Sequence, residues 1–212
     1  MTSAGDGVYT RLVGAGIAHG TETFTLDVAA SLIGIAMQER RTGGPPLAEA
    51  LGVASFELRA LFLETFPGAA DLLAHAGGDP GAPGADQQAL RDLLWYHAAG
   101  TGTFERALVK MIARRAQRPN HLWQDLGLSS RSQLGLLMQR WFPTLASRNV
   151  SDMKWKKFFY RTMCSSTGFS LCTAPVCSEC DDFDDCFGPE DGERLLAAVR
   201  NGRPIIGQEA RA

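Results

Sequence analysis

Residues 27–46, with the sequence DVAASLIGIAMQERRTGGPP, set the pattern that the rest of the chain follows. Apolar residues return at the i, i+4, i+7 spacing of one helix face, at Val28, Leu32 and Ile35. Asp27 suits the first turn, where the helix dipole favours a negative charge, and the glycines and prolines of 43–46 suit the end. The stretch therefore predicts an α-helix that stops sharply.

The same periodicity recurs further along the chain. A helix is predicted from Ser55 to just before Pro67, and another opens at Ser130, which has the spacing of a capping box with Gln133. The apolar positions of these two helices and of two helices between them are Leu58, Leu61, Phe62, Leu90, Leu93, Leu94, Phe104, Leu108, Met111, Ile112, Leu134, Leu137, Met138 and Trp141. Alternating β patterns are nearly absent, so the sequence predicts an all-α, bundle-like helical body.

Composition divides the chain into three parts. Residues 1–24 are rich in Gly, Ala and Thr and are predicted to form a flexible N-terminus. Residues 25–150 are predicted to form the helical domain, interrupted by a flexible Gly/Pro connector at 77–86. Residues 151–212 are predicted to contain a basic helix, a cysteine-rich metal-binding loop and a short C-terminal helix.

The overall totals argue against several classes of protein. The 212 residues are 45% hydrophobic and 21% charged, as in an ordinary soluble globular protein. A formal net charge of -2 gives no reason to expect binding to nucleic acid or to a membrane surface. No apolar run approaches the roughly 18 residues that span a bilayer, and residues 1–24 do not resemble a secretory signal. We therefore expect a cytoplasmic protein.

The five cysteines are the most informative residues, because all of them lie between Cys164 and Cys186. An odd number of crowded thiols in a reducing compartment argues against disulfides and favours a metal. The main motif has the spacing C-x4-C-x2-C-x5-C and consists of Cys172, Cys177, Cys180 and Cys186. Short spacings allow one loop to wrap an iron–sulfur cluster, since the intervening residues turn the chain and direct their amides at the sulfurs.

Other metal sites fit the same thiols. Four thiolates also make a closed tetrahedral zinc site, although zinc ribbons usually place two C-x2-C pairs farther apart. A plant-type ferredoxin shares the C-x4-C-x2-C opening, but its fourth cysteine comes much later in the sequence. A structural zinc module and a small iron–sulfur electron-transfer protein therefore stand as alternatives to a cluster carrier.

A basic stretch precedes the cysteines. A helix predicted over 151–163 places Lys154, Lys157 and Arg161 on one face. Together with Lys156, these cations could attract an oxyanion such as molybdate or offset the charge of a thiolate-bound cluster. The alternative is an ordinary solvated helix face.

Three segments of the second half resemble the NifQ family. They are HLWQDLGL at 121–128, MKWKKFFYR at 153–161, and the cysteine motif ending in CFGPE at 186–190. The resemblance covers somewhat less than half of the chain. Its most specific parts are the basic segment and the four-cysteine spacing.

The resemblance implies a carrier, not an enzyme, that supplies molybdenum for the iron–molybdenum cofactor of nitrogenase. It implies a molybdenum–iron–sulfur cluster, built on an Fe3S4-like or Fe4S4-like core, and two partners: the cofactor-assembly scaffold and the nitrogenase iron protein. The family ligands carried over are Cys172, Cys177, Cys180 and Cys186. Cys164 lies just upstream as a further candidate ligand or a packed residue, and His121 could ligate molybdenum or cap a helix.

Overall fold

Helix α2, Thr23–Arg41, is the central element of the computed structural model, which describes residues 4–167 and 186–190. Its buried residues run from Leu26 to Glu39 on every side of the helix, where the sequence pattern predicted one apolar face. A helix that is buried all round lies inside a core and not on its surface. The other helices pack around it.

The remaining helices follow in chain order and are joined by turns and one 3₁₀ segment. They are α1 Ala4–His19, α3 Leu47–Leu51, α4 Ser55–Thr65, the 3₁₀ segment Pro67–His75, α5 Ala85–Tyr96, α6 Thr103–Arg115, α7 Leu122–Asp125, α8 Arg131–Trp141, α9 Pro143–Ala146 and α10 Trp155–Thr167. Residues 4–167 and 186–190 contain no strand, which confirms the all-α prediction for this part of the chain. The predicted cysteine-rich loop and the short C-terminal helix fall largely outside the described residues.

Contacts between the helices show how α10 packs on the rest of the fold. Helix α1 packs on α2 and on the 3₁₀ segment, and α3, α4 and α5 each pack on α6. Helix α8 contacts α7 and α9, while α10 lies against α5. Among the described helices, none combines the length and the apolar character that crossing a bilayer requires.

The N-terminal segment contains a helix that the sequence analysis did not predict. Within residues 1–24, which were predicted to be flexible, Ala4–His19 forms α1. Leu12 is fully buried, and the Tyr9 hydroxyl donates a hydrogen bond of 2.5 Å to Asp27 Oδ1 on α2. A Cβ on Gly16 would lie 2.1 Å from Leu26 Cδ1, so the missing side chain lets the two helices approach closely. Tertiary packing therefore outweighs the low helix propensity of these glycines.

The helix predicted over 151–163 begins later, at Trp155. The side chain of Asn149 makes two hydrogen bonds to the backbone of Met153, each of 2.9 Å. Its Nδ2 donates to the Met153 carbonyl, and its Oδ1 accepts from the Met153 amide. Asp152 has a left-handed φ of 50°, which an α-helix cannot contain. Lys154 therefore lies in the turn before α10, and only Lys157 and Arg161 of the predicted basic face are on the helix.

Two expected helix starts match the structure. Helix α4 begins at Ser55, and Ser130 caps α8 by accepting the Gln133 amide at 3.2 Å. The side chain of Gln133 makes the return bond to Ser129 and not to Ser130: its Oε1 accepts a hydrogen bond of 2.6 Å from the Ser129 amide. Residues 77–84 of the expected connector are irregular.

Helix α7 ends in a Schellman turn at Gly127. The Gly127 amide donates to the Gln124 carbonyl at 2.8 Å, and the Leu128 amide donates to the Trp123 carbonyl at 2.9 Å. Gly127 has a φ of +70°, and a Cβ placed on it would lie 2.7 Å from the backbone oxygen of Ser31. Only glycine satisfies both the conformation and the close approach to α2.

We expect Gly127→Ala to lower the free energy of unfolding by about 3 kcal/mol, because it combines left-handed strain with overpacking against α2. The measurement is urea denaturation followed by circular dichroism. Gly135→Ala is the matched control: Gly135 lies within α8, and a Cβ there would meet nothing within 4 Å. The control substitution should raise the free energy of unfolding by about 1 kcal/mol, because alanine has a higher helix propensity than glycine. Equal effects of the two changes would contradict this account of Gly127.

Candidate metal centre

The described residues contain only part of the predicted metal centre. Cys186 is described with its side chain, and the backbone of Cys164 lies within α10. Cys172, Cys177 and Cys180 lie outside the described residues. Within 4–167 and 186–190, no three His, Cys, Asp or Glu side chains form a group that could hold a metal ion. The four-cysteine site therefore stays a prediction.

Cys186 is attached to the helical body at a defined point. The Lys154 amide, in the turn before α10, donates a hydrogen bond of 2.7 Å to the Cys186 carbonyl. Cys186 and Phe187 are half-buried and pack against the hydrophobic core. The last predicted ligand thus lies beside the start of α10, while the chain leaves the other end of that helix at Thr167.

Glu190 holds the chain in place just beyond Cys186. Its side chain is only 4% exposed, and its carboxylate pairs with the Arg131 guanidinium at the start of α8 and lies 3.3 Å from His121 Nδ1. Arg131 also donates to the Asp152 backbone oxygen at 2.6 Å and to Oδ1 of the same residue at 2.9 Å. Burial alone would lower the pKa of Arg131, but the bond to Asp152 and the charge of Glu190 outweigh burial and raise it. The pairing therefore compensates the charged guanidinium for its burial.

His121 is at the N-terminus of α7, as a capping residue would be. Its backbone amide donates to Gln124 Oε1 at 3.3 Å, and its ring faces Glu190. The structure thus places His121 within reach of the segment that follows Cys186. A role as a molybdenum ligand stays a prediction.

Lys156 has a different environment from the other predicted cations. Its ammonium donates to Asp125 Oδ2 at 2.6 Å, to the Asn120 carbonyl at 2.6 Å and to the Arg118 carbonyl. An ammonium has three protons to donate, so these partners use its whole capacity. The Asp125 side chain is 1% exposed. Lys156 therefore holds α10 to α7 and is neither a solvated cation nor a donor left over for an anion.

A second buried pair continues this network toward the centre of the fold. The Arg115 guanidinium, which is 0% exposed, binds both carboxylate oxygens of Glu39 at 2.8 Å and the Asp125 backbone oxygen at 2.6 Å. Arg118 adds a 3.0 Å bond to the same Glu39 carboxylate. We call these residues the buried charge network: Glu39, Arg115, Arg118, Asp125 and Lys156. It joins α2, α6, α7 and α10.

Sequence reasoning missed most of this network. Glu39 precedes two arginines at the end of α2, and Arg115 follows Arg114 in the last turn of α6. Charges at such positions are ordinarily exposed, and their pairing across 76 residues leaves no local signal. Lys156 was singled out, but as part of a basic surface.

Two of the remaining predicted cations, Lys154 and Arg161, lie near Cys186 or its neighbour Phe187. Lys154 is half-buried, whereas Lys157 and Arg161 are exposed on the helix. Arg161 lines a cleft to which Phe187 also contributes. Positive charge therefore lies close to the last predicted ligand.

We expect Lys156→Met to lower the free energy of unfolding by about 3 kcal/mol, because it leaves the buried Asp125 carboxylate without its cation. Lys157→Met is the matched control, since Lys157 is adjacent in sequence but exposed. The control should change stability by less than about 0.5 kcal/mol. The measurement is chemical denaturation of both variants, and equal losses would show that Lys156 is not part of a buried pair.

Comparison with known proteins agrees with the motifs. The NifQ family model matches residues 28–188. The chain is 39% identical over 167 residues to the Protein NifQ homolog of Sinorhizobium fredii, covering 78% of this chain and 73% of that protein. It is 39% identical over 156 residues to Protein NifQ of Rhodobacter capsulatus, covering 73% and 84%.

A third relative matches a shorter region. Protein NifQ of Azotobacter vinelandii is 43% identical over 101 residues, which cover 48% of this chain and 52% of the relative. No solved structure matches the fold with significance. The match of the family model covers most of the chain, including most of the central helix, the buried charge network and the four-cysteine motif, and the chain therefore belongs to the NifQ family.

Proposed function

We propose that this chain carries molybdenum, bound to an iron–sulfur cluster, for assembly of the iron–molybdenum cofactor of nitrogenase. Membership of the NifQ family supports a role in nitrogen fixation related to molybdenum. The observation that carries the finer proposal is the motif C-x4-C-x2-C-x5-C, whose last cysteine is fixed to the helical body. A cluster site needs several thiolates that converge, and a loop attached at its end brings one of them to a constant position.

The proposed ligands are Cys172, Cys177, Cys180 and Cys186. Thiolate and sulfide are soft donors that suit iron and reduced molybdenum. A carrier has to release its metal, and a site on a loop can open without unfolding the helices. Cys164, on α10, is proposed as a residue near the site and not as a ligand; His121, beside Glu190, is the candidate non-sulfur ligand of molybdenum.

The cations around Cys186 are proposed to balance the charge of the cluster. Thiolates and sulfides give such a centre a net negative charge, which nearby cations stabilise. Lys154, Lys157 and Arg161, from the turn that binds Cys186 and from α10, are the residues proposed for this role. Lys156 belongs to the buried charge network and contributes only through the position of the helix.

The proposed partners are a molybdate or molybdenum–sulfur species as cargo, the cofactor-assembly scaffold as recipient and the nitrogenase iron protein. Transfer of a cluster between such proteins takes place in the cytoplasm, where we place this chain. No catalytic turnover is part of the proposal. A structural zinc module would instead bind one zinc ion in a closed four-coordinate site and would not release it.

The decisive experiment is the metal and sulfide content of anaerobically purified protein. We expect iron, labile sulfide and molybdenum, together with broad sulfur-to-iron charge-transfer absorption. Cys180→Ser and Cys186→Ser should each lose most of the iron and sulfide, whereas the matched control Cys164→Ser should retain them. One zinc ion without sulfide would refute the cluster. Reversible redox cycling with no uptake of molybdenum would identify an electron-transfer protein.

The attachment beyond Cys186 has a separate consequence. Glu190→Gln keeps the shape of the side chain but removes the charge that pairs with Arg131. Because residues that orient a metal ligand affect metal retention, we expect iron to pass to a strong chelator roughly ten-fold faster. The rate is followed by the absorbance of the iron–chelator complex. Glu64→Gln, at an exposed acid on α4, is the control, and identical rates in the two variants would rule out the role of Glu190.

A further inference from the structure

A groove of about 290 Å³ lies along the contact between α5 and α6. Each helix contributes one face to it, because the lining residues recur at intervals of three and four positions. The polar and aromatic groups of the lining are Gln88, Arg91, Asp92, Trp95, Arg106 and Lys110. The volume of the groove is close to the lower end of the range of about 300–1,000 Å³ that is typical of small-molecule sites.

Trp95 supplies an open aromatic wall. It is 43% exposed, whereas Trp123, Trp141 and Trp155 are each 5% exposed or less. Within residues 4–167 and 186–190, no aromatic ring stacks on the Trp95 indole and no guanidinium lies over it. A flat ring from a ligand can therefore stack on this indole, and such stacking contributes substantially to the binding of nucleobases.

The groove is positively charged. Three cations line it, and Asp92 is the one carboxylate among its described lining residues. Lys110 pairs with Glu57 at 2.5 Å, whereas Arg91 and Arg106 form no ion pair within the described part of the chain. Guanidinium groups without a carboxylate partner favour an anion, and a phosphate can accept two parallel hydrogen bonds from one guanidinium.

Arg91 is only partly satisfied by the protein. Its Nη2 donates to the Gly52 carbonyl at 3.0 Å, while its buried Nε has no acceptor among the described residues. Burial lowers the pKa of Arg91; the charge of Glu57 opposes this effect in part, and the charge of Arg114 adds to it. The protein thus leaves this guanidinium incompletely compensated, and an anion in the groove would stabilise it.

The order of the residues along α5 selects among anions. Arg91 and Trp95 are four positions apart, which places them on one face and about 6 Å apart along the helix axis. Asp92 lies between them in the sequence and also lines the groove, and its Oδ1 accepts a hydrogen bond of 2.7 Å from Gln88. A carboxylate repels an anion but accepts hydrogen bonds from hydroxyl groups. A ligand with a flat ring, hydroxyl groups and a phosphate, in that order, therefore matches Trp95, Asp92 and Arg91.

We propose that the groove between α5 and α6 is a binding site for a nucleoside phosphate. The base stacks on Trp95, the sugar hydroxyls donate to Asp92, and the phosphate is bound by Arg91, Arg106 and Lys110. The site is independent of the proposed function, because it includes none of the proposed metal ligands. No bond is made or broken in it.

The test is calorimetric titration of the purified full chain with AMP. We expect Trp95→Leu to weaken binding about ten-fold, because it removes the stacking surface. Tyr96→Leu is the matched control, since Tyr96 is the adjacent residue, is 84% exposed and is not among the lining residues of the groove. This control should bind AMP as the parent chain does. Equal affinities of Trp95→Leu and Tyr96→Leu would overturn the proposal, as would a parent chain that binds no AMP at millimolar concentration.

Arg106→Gln tests the contact to the phosphate. It should weaken the binding of AMP about ten-fold, because it removes a charge-assisted contact, and it should leave the weaker binding of adenosine unchanged. Arg59→Gln, at an exposed arginine on α4, is the matched control and should alter neither affinity. If Arg106→Gln weakens adenosine and AMP to the same extent, Arg106 does not contact the phosphate, and the proposed arrangement is refuted.

Partial ligands distinguish a nucleoside phosphate from other anions. Adenosine, inorganic phosphate and phenyl phosphate each lack at least one of the three groups, and each should bind at least about ten-fold more weakly than AMP. Phenyl phosphate or inorganic phosphate that binds as tightly as AMP would overturn the assignment to a nucleoside phosphate. AMP should also quench the tryptophan fluorescence of the parent chain but not that of Trp95→Leu, in which only the buried tryptophans remain. Equal quenching in both would place the base elsewhere.

Discussion

The buried charge network is the constraint on which the rest of the structure depends. Glu39 and Arg115 are nearly or wholly removed from solvent, as is Asp125. Burying an ion is costly, and the cost is repaid only when the partner and the remaining hydrogen-bonding groups are all in place. Here the carboxylate of Glu39 receives three guanidinium bonds, and the backbone carbonyls of Arg118, Asn120 and Asp125 accept further bonds from Lys156 and Arg115. Moving any one of these helices away from the others would leave a buried charge without its partner.

This constraint positions the candidate metal centre. Lys156 fixes the first turn of α10 to α7, and Lys154, two residues earlier, fixes Cys186. Glu190 then fastens the following residues to α8 and α7 through Arg131 and His121. The cysteine motif is in this way attached to a rigid body at its C-terminal end. The proposed carrier role would need such an attachment, because a metal would have to be held in a defined place and yet be released without unfolding the protein.

The lysine-rich segment has two roles that fall on different residues: one lysine pairs with a buried carboxylate, and another supplies positive charge near Cys186. The ammonium of Lys156 donates all of its hydrogen bonds within the protein. It therefore stabilises the contact between α10 and α7 and is not placed to bind an anion. Lys154 lies in the turn that is hydrogen-bonded to Cys186, and Arg161 lines a cleft together with Phe187. Their positions depend on the left-handed conformation of Asp152 and on the two hydrogen bonds between Asn149 and Met153.

The sequence by itself determined the helical class and most helix positions, and it contains the spacing of the four-cysteine motif. Apolar spacing and capping are local properties, so Ser55 and Ser130 mark helix starts in the structure as they do in the sequence. The resemblance to NifQ, read from 121–128, 153–161 and the cysteines, is confirmed by the family match.

Only the tertiary structure decided that residues 4–19 form α1, that α10 begins at Trp155 and that Lys156 pairs with the buried Asp125. These features rest on partners distant in the sequence: Tyr9 meets Asp27 across 18 residues, and Lys156 meets Asp125 across 31. A local pattern records the propensity of a segment and the period of its apolar residues. It does not record which charge from another helix will be buried against it, because that depends on how the helices pack.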